Sequence, residues 1–522
     1  MATVKGTAKT DKFTVNASNV IVVTGKKTST NKISKNGKNK IYGAAAKDTF
    51  TVKGGKLNYI YGDAGNDTIT VTSKIGTGNR IYGDDAKNKV SGNDTFNING
   101  GSKNYFYGGK GKDTFYINGG IGNIITGGAG NDIFVLRGVE ERVDEAITAT
   151  IKDYTYGQDT LQIIGTTVTN TKNSGKNVIF SAGKAKVTLT NAFGKTISIK
   201  DNRGSYTVSK TAIKLGKGFK GTMFAEQFLP TVTSIDGQKA TKGISVYGND
   251  LDNVIYGGSG NDTLYGGSGN KPNDGNDTLT GGDGKDTFVF VGNGGKDIVT
   301  DYTEGQDSLY FLSGSISSTT LTNNNKDVSL KVGDRHNTIT LKNAAGKAFT
   351  VEDWTGTKFT VSETKIVVQS QDSTFDGYIE AGGYFPTITT IDARKAKTKI
   401  ILYGNEKDNI IYAGKGNDYI EGGSGNDVIF SRTGDNDLYG GDGSDTFVFE
   451  SISNGESIVY DYEVGLDIIK FENGTGIVSS SIDSNDVLLN LTTGGSININ
   501  NAVGQEITFD YGNGNTTTKV FS

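Results

Sequence analysis

Apolar residues in this chain return at fixed intervals instead of gathering in long runs. Ile411, Ile420, Ile429, Leu438 and Phe447 keep a nine-residue step, each behind one of Gly404, Ala413, Gly422, Ser431 and Gly440. Gly248, Gly257 and Gly266 keep the same step. A glycine-rich turn followed by about three residues with one inward apolar side chain predicts a short strand per repeat, stacked on the next. Over residues 1–137 the interval lengthens. Asp-Thr-(Phe/Ile) recurs at Asp48, Asp67, Asp94 and Asp113, with Asp132-Ile133-Phe134 as a variant, while Ile41, Ile60, Ile81, Phe106 and Ile125 mark a second strand. That pattern predicts a solenoid of about five two-strand coils.

A third and longer period covers the remainder. Asp153-Tyr154, Asp301-Tyr302 and Asp461-Tyr462 each precede a Gly and then an Asp at fixed spacing, and Asn-Ala-x-Gly follows at Asn191, Asn343 and Asn501. These stretches alternate apolar and polar residues, as in AKVTLTNA, which predicts half-buried strands. The expected fold class is all-β: parallel β-roll or β-solenoid blocks alternating with β-rich, sandwich-like modules. The blocks are an N-terminal solenoid at 1–137 and rolls at 244–290 and 400–449. The modules are 138–243, 291–399 and a C-terminal cap at 450–522. No segment carries the period of an amphipathic helix.

Composition sharpens this. Glycine supplies 76 of 522 residues, about double the usual share, and so heavy a load costs backbone entropy that something beyond ordinary packing must offset. With 3 prolines and no cysteine, neither a collagen-like chain nor a disulfide framework is in view. One histidine, His336, leaves little scope for zinc or imidazole chemistry. No apolar run reaches the length of a membrane span, and MATVKGTAKTDKFTV lacks the apolar core of a secretory signal. The net charge of −3 is unevenly spread: residues 1–60 hold 12 Lys against Asp11 and Asp48, and residues 450–522 hold ten acids against Lys470 and Lys519.

The pattern Gly-Gly-x-Gly-x-Asp-x-(apolar)-x carries the chemistry. It stands intact at Gly127–Asp132, Gly257–Asp262, Gly281–Asp286, Gly422–Asp427 and Gly440–Asp445, and Gly108–Asp113 also fits. Ala413–Asp418 and Gly62–Asp67 fit with one substitution. Glycines let the turn point several carbonyls into one site, and the Asp adds a carboxylate, giving the all-oxygen cage that calcium prefers. Gly248–Asn253 and Gly404–Asn409 depart from it with Asn at the sixth position, Ser431–Asn436 lacks the leading glycines, and an insertion separates Gly266 from Asp277. In residues 1–137 the second turn of each coil lacks the Asp, so calcium there is expected on one side only.

The motif resembles the nonapeptide of the RTX (repeats-in-toxin) family of secreted bacterial proteins, a calcium-binding parallel β-roll. The resemblance implies several calcium ions held between turns stacked on one side of the roll. The positions it points to are Gly62, Asp67, Gly108, Asp113, Gly127, Gly130, Asp132, Gly257, Gly260, Asp262, Asp277, Gly281, Gly284, Asp286, Gly416, Asp418, Gly422, Gly425, Asp427, Gly440, Gly443 and Asp445. It also implies export without a cleaved N-terminal signal, by a one-step system reading the C-terminus, with folding on extracellular calcium. Apposed carboxylates and glycine-rich turns make that coupling physically reasonable.

The function expected from these readings is a non-catalytic extracellular or cell-surface protein that self-assembles head to tail into a surface layer, matrix or filament. Anionic surface polysaccharide is a further partner for the basic end, and no nucleic acid is expected. The long apolar helical region of RTX cytotoxins is missing. Two other classes stay open: a carbohydrate-binding adhesin, and a polysaccharide-modifying enzyme using a carboxylate pair such as Glu140-Glu141 or Glu352-Asp353. The plainer reading makes those pairs exposed turn charges, His336 a solvent-exposed turn residue and Trp354 part of a module core.

Overall fold

The computed structural model describes residues 3–7, 9–15, 20–24, 29–32, 38–87, 89–137, 146–267, 275–291, 295–314, 316–333, 337–371, 376–450, 455–512 and 515–522, with backbone only for 20–24 and 29–32. Nearly all of it is strand. Two short 3-10 turns, Ala225–Gln227 and Ala381–Gly383, are the only helical elements among the described residues. No helix is long and apolar enough to cross a membrane. The chain forms two compact units, Met1–Ser259 and Gly260–Ser522.

In the first unit two parallel ladders run side by side. One stacks Thr3–Lys5, Lys40–Tyr42, Tyr59–Tyr61, Arg80–Tyr82, Tyr105–Lys110, Asn123–Ala129, Thr148–Ile151 and Ala185–Leu189. The other stacks Lys12–Val15, Thr49–Val52, Thr68–Val71, Thr95–Ser102, Thr114–Ile121, Ile133–Arg137, Thr160–Ile164 and Ile197–Asp201. Pairing therefore passes residue 137 without a break. The stretch expected as a separate module adds antiparallel hairpins to the same ladders: Asn170–Ser174 with Asn177–Ala182 on one, Gly204–Val208 with Ala212–Leu215 on the other.

Register explains the sequence period. Equivalent residues of successive coils pair directly, so Phe13, Phe50, Ile69, Phe96, Phe115 and Phe134 form one buried column. Their rings stack at 4.5 Å (Phe13–Phe50) and 4.6 Å (Phe96–Phe115). Ile41, Ile60, Ile81, Phe106 and Ile125 form the facing column, each at most 1% exposed. A strand with one fully buried side chain gains little alone; identical neighbours above and below make it stable.

The second unit repeats the plan. Thr263–Tyr265, Thr287–Phe290, Ser308–Phe311 and Phe349–Glu352 stack in parallel, as do Thr278–Thr280, Lys296–Val299 and Asn337–Leu341. Hairpins interrupt the stacking: Phe349–Glu352 folds back on Lys358–Val361, which in turn pairs with Lys365–Ser370. Parallel coils then resume through Thr390–Asp392, Ile410–Tyr412, Val428–Ser431, Thr446–Glu450 and Ile468–Glu472. Facing them are Gly377–Glu380, Ile400–Asn405, Tyr419–Ser424 and Asp437–Asp442. Ile411, Ile420, Ile429, Leu438 and Phe447, the nine-residue markers, are all 0% exposed.

Candidate metal sites

Each turn that carries the repeat Asp hands one hydrogen bond to the next coil. In the first unit the amide of Asp48 donates to Oδ1 of Asp67, Asp67 to Asp94, Asp94 to Asp113, Asp113 to Asp132 and Asp132 to Asp159, at 2.7–2.9 Å. In the second unit Asp262 donates to Asp286 and Asp286 to Asp307, Asp277 donates to Asp297, and Asn409, Asp427, Asp445 and Asp467 form a further series. Asp418 donates to Asn436 on the opposite side of the same coils.

The ladder uses only one oxygen of each carboxylate. The Oδ2 atoms of Asp48, Asp67, Asp94, Asp113, Asp132, Asp286, Asp427 and Asp445 are buried without a hydrogen-bond partner among the described residues. Burial raises these carboxyls far above the usual range: to about 7 for Asp67, Asp132, Asp286 and Asp445, to about 8 for Asp113 and about 9 for Asp94. A buried, unpaired carboxylate is costly unless a cation or donor meets it.

The first glycine of the motif makes room for that oxygen. A Cβ on Gly62, Gly108, Gly127, Gly281, Gly422 or Gly440 would collide with Oδ2 of Asp67, Asp113, Asp132, Asp286, Asp427 or Asp445 respectively. The same Cβ on Gly62 or Gly108 would strike the carbonyl oxygen of Gly83 or Gly127 in the next coil. The third glycine of the motif, at its fourth position, holds a positive φ of 145° at Gly130 and 143° at Gly443, which a side chain would strain. Unsatisfied carboxylate oxygens thus share space with main-chain carbonyls, a donor set for a hard, oxygen-seeking cation. Among the described residues no three acidic, histidine or cysteine side chains cluster to hold a metal unaided, so carbonyls must complete the shell. The residues present fit calcium.

The other predicted positions fall into this frame with two variations. Gly266 stands against Oδ2 of Asp277 as Gly281 does against Asp286, despite the insertion, of which 268–274 lie outside the described residues. Asp418 differs: its Oδ2 accepts the Gly414 amide at 2.7 Å. Gly260 and Gly425 lie beneath the fourth-position glycines of the following coils, Gly284 and Gly443, whose Cβ positions would strike their carbonyl oxygens. Gly257 is buried at the start of its turn, and a Cβ on Gly416 would meet the Thr398 backbone.

Some residues carry roles that sequence reasoning did not assign. Asp153 accepts the amides of Gly127 and Gly128, one on each oxygen, both at 2.8 Å. Asp301 does the same for Gly281 and Gly282, and Asp461 for Gly440 and Gly441. Six residues on, Asp159, Asp307 and Asp467 end the ladders of Asp132, Asp286 and Asp445, their Oδ2 satisfied by the amides of Thr155, Thr303 and Glu463. The hydroxyls of Tyr154, Tyr302 and Tyr462 donate to the carbonyls of these same terminal residues. The signal was the fixed Asp-Tyr…Gly…Asp spacing. Asp63 and Asp84 were also missed; they replace the second glycine, and Asp84 leaves a buried Oδ1 unpartnered.

The opposite turns of the first unit hold asparagines. Asn39, Asn58, Asn79, Asn104 and Asn123 are at most 1% exposed. The amides of Asn58, Asn79 and Asn104 donate to Oδ1 of Asn79, Asn104 and Asn123, each at 3.0 Å. Side-chain Nδ2 of Asn39, Asn58 and Asn79 donates along the same column. A neutral amide carries its own donor, so this side closes without a carboxylate.

Two expectations need correction. Trp354 is no core residue: it is 58% exposed. Asp353 is not a free turn charge, because one of its oxygens accepts from the Thr355 amide and hydroxyl and the Thr357 amide. His336, Glu140 and Glu141 lie outside the described residues.

Parallel coils whose turns present carbonyls and one unsatisfied carboxylate define a cation-binding repeat β-solenoid. The family model described as the RTX calcium-binding nonapeptide repeat (4 copies) matches residues 54–71, 247–270, 273–299, 401–429 and 421–450. Over those spans the chain carries RTX repeats, which bind calcium. No curated protein matches the chain. Among solved structures it is similar to an extracellular lipase, LipA from Serratia marcescens, at 18% identity and a TM-score of 0.15, over 55% of this chain and 38% of the lipase.

Proposed function

We propose that this chain is a secreted, non-catalytic structural protein that folds on meeting extracellular calcium and assembles into a surface layer, matrix or filament. The observation that carries the reading is the set of eight buried Oδ2 atoms, five in the first unit and three in the second, without hydrogen-bond partners among the described residues. Calcium supplies the positive charge these oxygens lack; the chain supplies the rest. The Asp ladder spaces the carboxylates one per coil, the first glycine clears the oxygen-lined space, and Asp153, Asp301 and Asp461 fix the glycine amides from the following strand. The ligands proposed are the repeat aspartates with the carbonyls of their glycine turns, joined in the first unit by Asp63 and Asp84.

Assembly follows from charge. Residues 1–60 carry a net +10 and residues 450–522 a net −8, a pairing that favours heterologous, open-ended contacts. The strand Thr516–Val520 is exposed at every position and pairs with Glu506–Asp510, leaving its other edge open among the described residues. Light scattering in calcium at low salt tests both halves. Large assemblies that dissolve in high salt while circular dichroism stays β-rich support the reading. A folded monomer under all calcium and salt conditions overturns assembly, and a β-rich spectrum unchanged by chelation overturns calcium-driven folding.

A further inference from the structure

A cavity of about 370 Å³ opens in the second unit between the hairpin turn after Phe349–Glu352 and the strand Gly377–Glu380. Its floor is apolar, with Phe311, Ile316 and Phe359 among the lining residues. Two aromatic side chains stand at it largely uncovered, Trp354 at 58% exposure and Tyr378 at 39%. A large flat side chain left open at a cavity forgoes the burial that normally stabilises it. Three carboxylates, Asp353, Asp376 and Glu380, also line the space, and among the described residues no lysine or arginine does.

The polar groups are partly fixed by the fold. Asp353 is held by the hairpin turn through a single oxygen, which accepts from Thr355 and Thr357 at 2.6–3.0 Å. Tyr378 donates its hydroxyl to Glu380 at 3.0 Å. Tyr384 packs edge-on against Phe359 at 5.8 Å and is 6% exposed; it lines the cavity, and its hydroxyl has no hydrogen-bond partner among the described residues.

We propose that this cavity binds an organic cation, a quaternary ammonium or protonated amine, against the faces of Trp354 and Tyr378. Aromatic faces attract such groups through the ring quadrupole, most strongly for tryptophan. The three carboxylates lack a positive side chain in the lining and gain from a cationic ligand, while an anionic one is repelled. The apolar floor accepts the methyl groups of a quaternary nitrogen, and the size matches a small-molecule site. The site shares no residue with the calcium turns and is independent of the assembly reading.

Trp354 is the chain's one tryptophan, so its fluorescence reports on this site alone. The test titrates calcium-saturated protein with choline, with its uncharged isostere 3,3-dimethyl-1-butanol, and with methyl glucoside. Choline is expected to change the fluorescence saturably, with the uncharged isostere about tenfold weaker or worse. By calorimetry, Trp354→Phe should keep most of the affinity, Trp354→Ala should lose about tenfold, and Asp376→Asn should weaken choline about threefold while sparing the neutral isostere. Equal binding of choline and its isostere, saturable binding of the glucoside in preference to choline, or no response to choline overturns the proposal. Circular dichroism of each variant in calcium confirms that a lost signal is not lost folding; the exposed positions of Trp354 and Asp376 make unfolding an unexpected result.

Discussion

The main-chain amide of Asp113 donates to Oδ1 of Asp132 at 2.9 Å, and the other oxygen of Asp132 is left buried with no partner. The two oxygens therefore stand in different surroundings, one holding register between coils, the other free of hydrogen bonds among the described residues and, in the function proposed above, a calcium ligand. Asp132→Asn keeps an acceptor for the ladder but removes the charge, so it should raise the calcium midpoint about tenfold while leaving the calcium-saturated spectrum β-rich. Asp427→Ala and Asp262→Ala should raise the midpoint as well. Asp483→Ala, on an exposed strand far in sequence from any repeat turn, should not. Calcium titrations followed by circular dichroism decide this, in a range of about 0.1–1 mM expected for extracellular modules. An unchanged midpoint for Asp132→Asn would remove the ladder's second role.

Protons should partly replace calcium. Asp67, Asp132, Asp286 and Asp445 have carboxyls raised by burial from 3.8 to about 7 in the metal-free fold. A group that binds its proton more tightly when folded favours the fold below its unfolded value, and that support is lost as pH rises through the folded value. In chelator, the protein should therefore be more β-rich at about pH 4.5 than at about pH 8, and its calcium affinity should fall as pH drops below about 7. Asp392 has the opposite sign. Arg394 beside it holds its carboxyl down to about 2, so this ion pair persists through the acid window. Equal disorder in chelator at both pH values would contradict the prediction.

The asparagine side of the first unit should respond to neither ion nor proton. Asn79 is 0% exposed and bonds Asn104 through both its main-chain amide and its side chain. Removing it leaves buried donors and acceptors unpaired, a cost of about 1–3 kcal/mol for each such group. Asn79→Ala should lower stability to urea by about 2–4 kcal/mol in saturating calcium without moving the calcium midpoint. A shifted midpoint would show that the two sides of the coil are coupled.

Much of this was legible because a solenoid writes its period into the chain. Stacked coils repeat one environment, so Ile411 and Ile420, or Phe50 and Phe96, mark buried columns through their spacing alone. The glycine motif likewise exposed Asp132 and Asp286, since only a turn with positive φ and a nearby carboxylate calls for that spacing. Asp153 was harder. Its repeat with Asp301 and Asp461 was visible, but its partners Gly127 and Gly128 lie 26 and 25 residues away, and no local rule links them. Asn79 was silent for another reason: asparagine is common in turns, and only stacking turns it into a ladder. Trp354 misled because large aromatic residues are usually covered, and its exposure follows from a tertiary cavity that no pattern of alternation encodes.

Carboxylates of the coil that follows each run of repeats restrain the glycine turns before them. Asp301 takes the amides of Gly281 and Gly282 at 2.9 and 2.8 Å, the two glycines that open the turn of Asp286. Those amides belong to the flexible part of the motif, where backbone entropy opposes order most strongly. Charge-assisted bonds to them contribute about 1.5–3 kcal/mol apiece when buried, and less here because Gly282 is exposed to solvent. Asp301→Ala should therefore cost about 2–4 kcal/mol and raise the calcium midpoint, because a loosened turn no longer presents its carbonyls beside Asp286. Asp301→Asn retains one acceptor and should fall between. Hydrogen exchange separates this from a general loss of stability: protection of the Gly281 and Gly282 amides should drop in Asp301→Ala, while Asp427 and its neighbours keep theirs. The same substitution at Asp153 or Asp461 should loosen Gly127 and Gly128, or Gly440 and Gly441, and leave the Asp286 turn untouched. Unaltered protection at Gly281 and Gly282 would mean that the bonds do not restrain the turn.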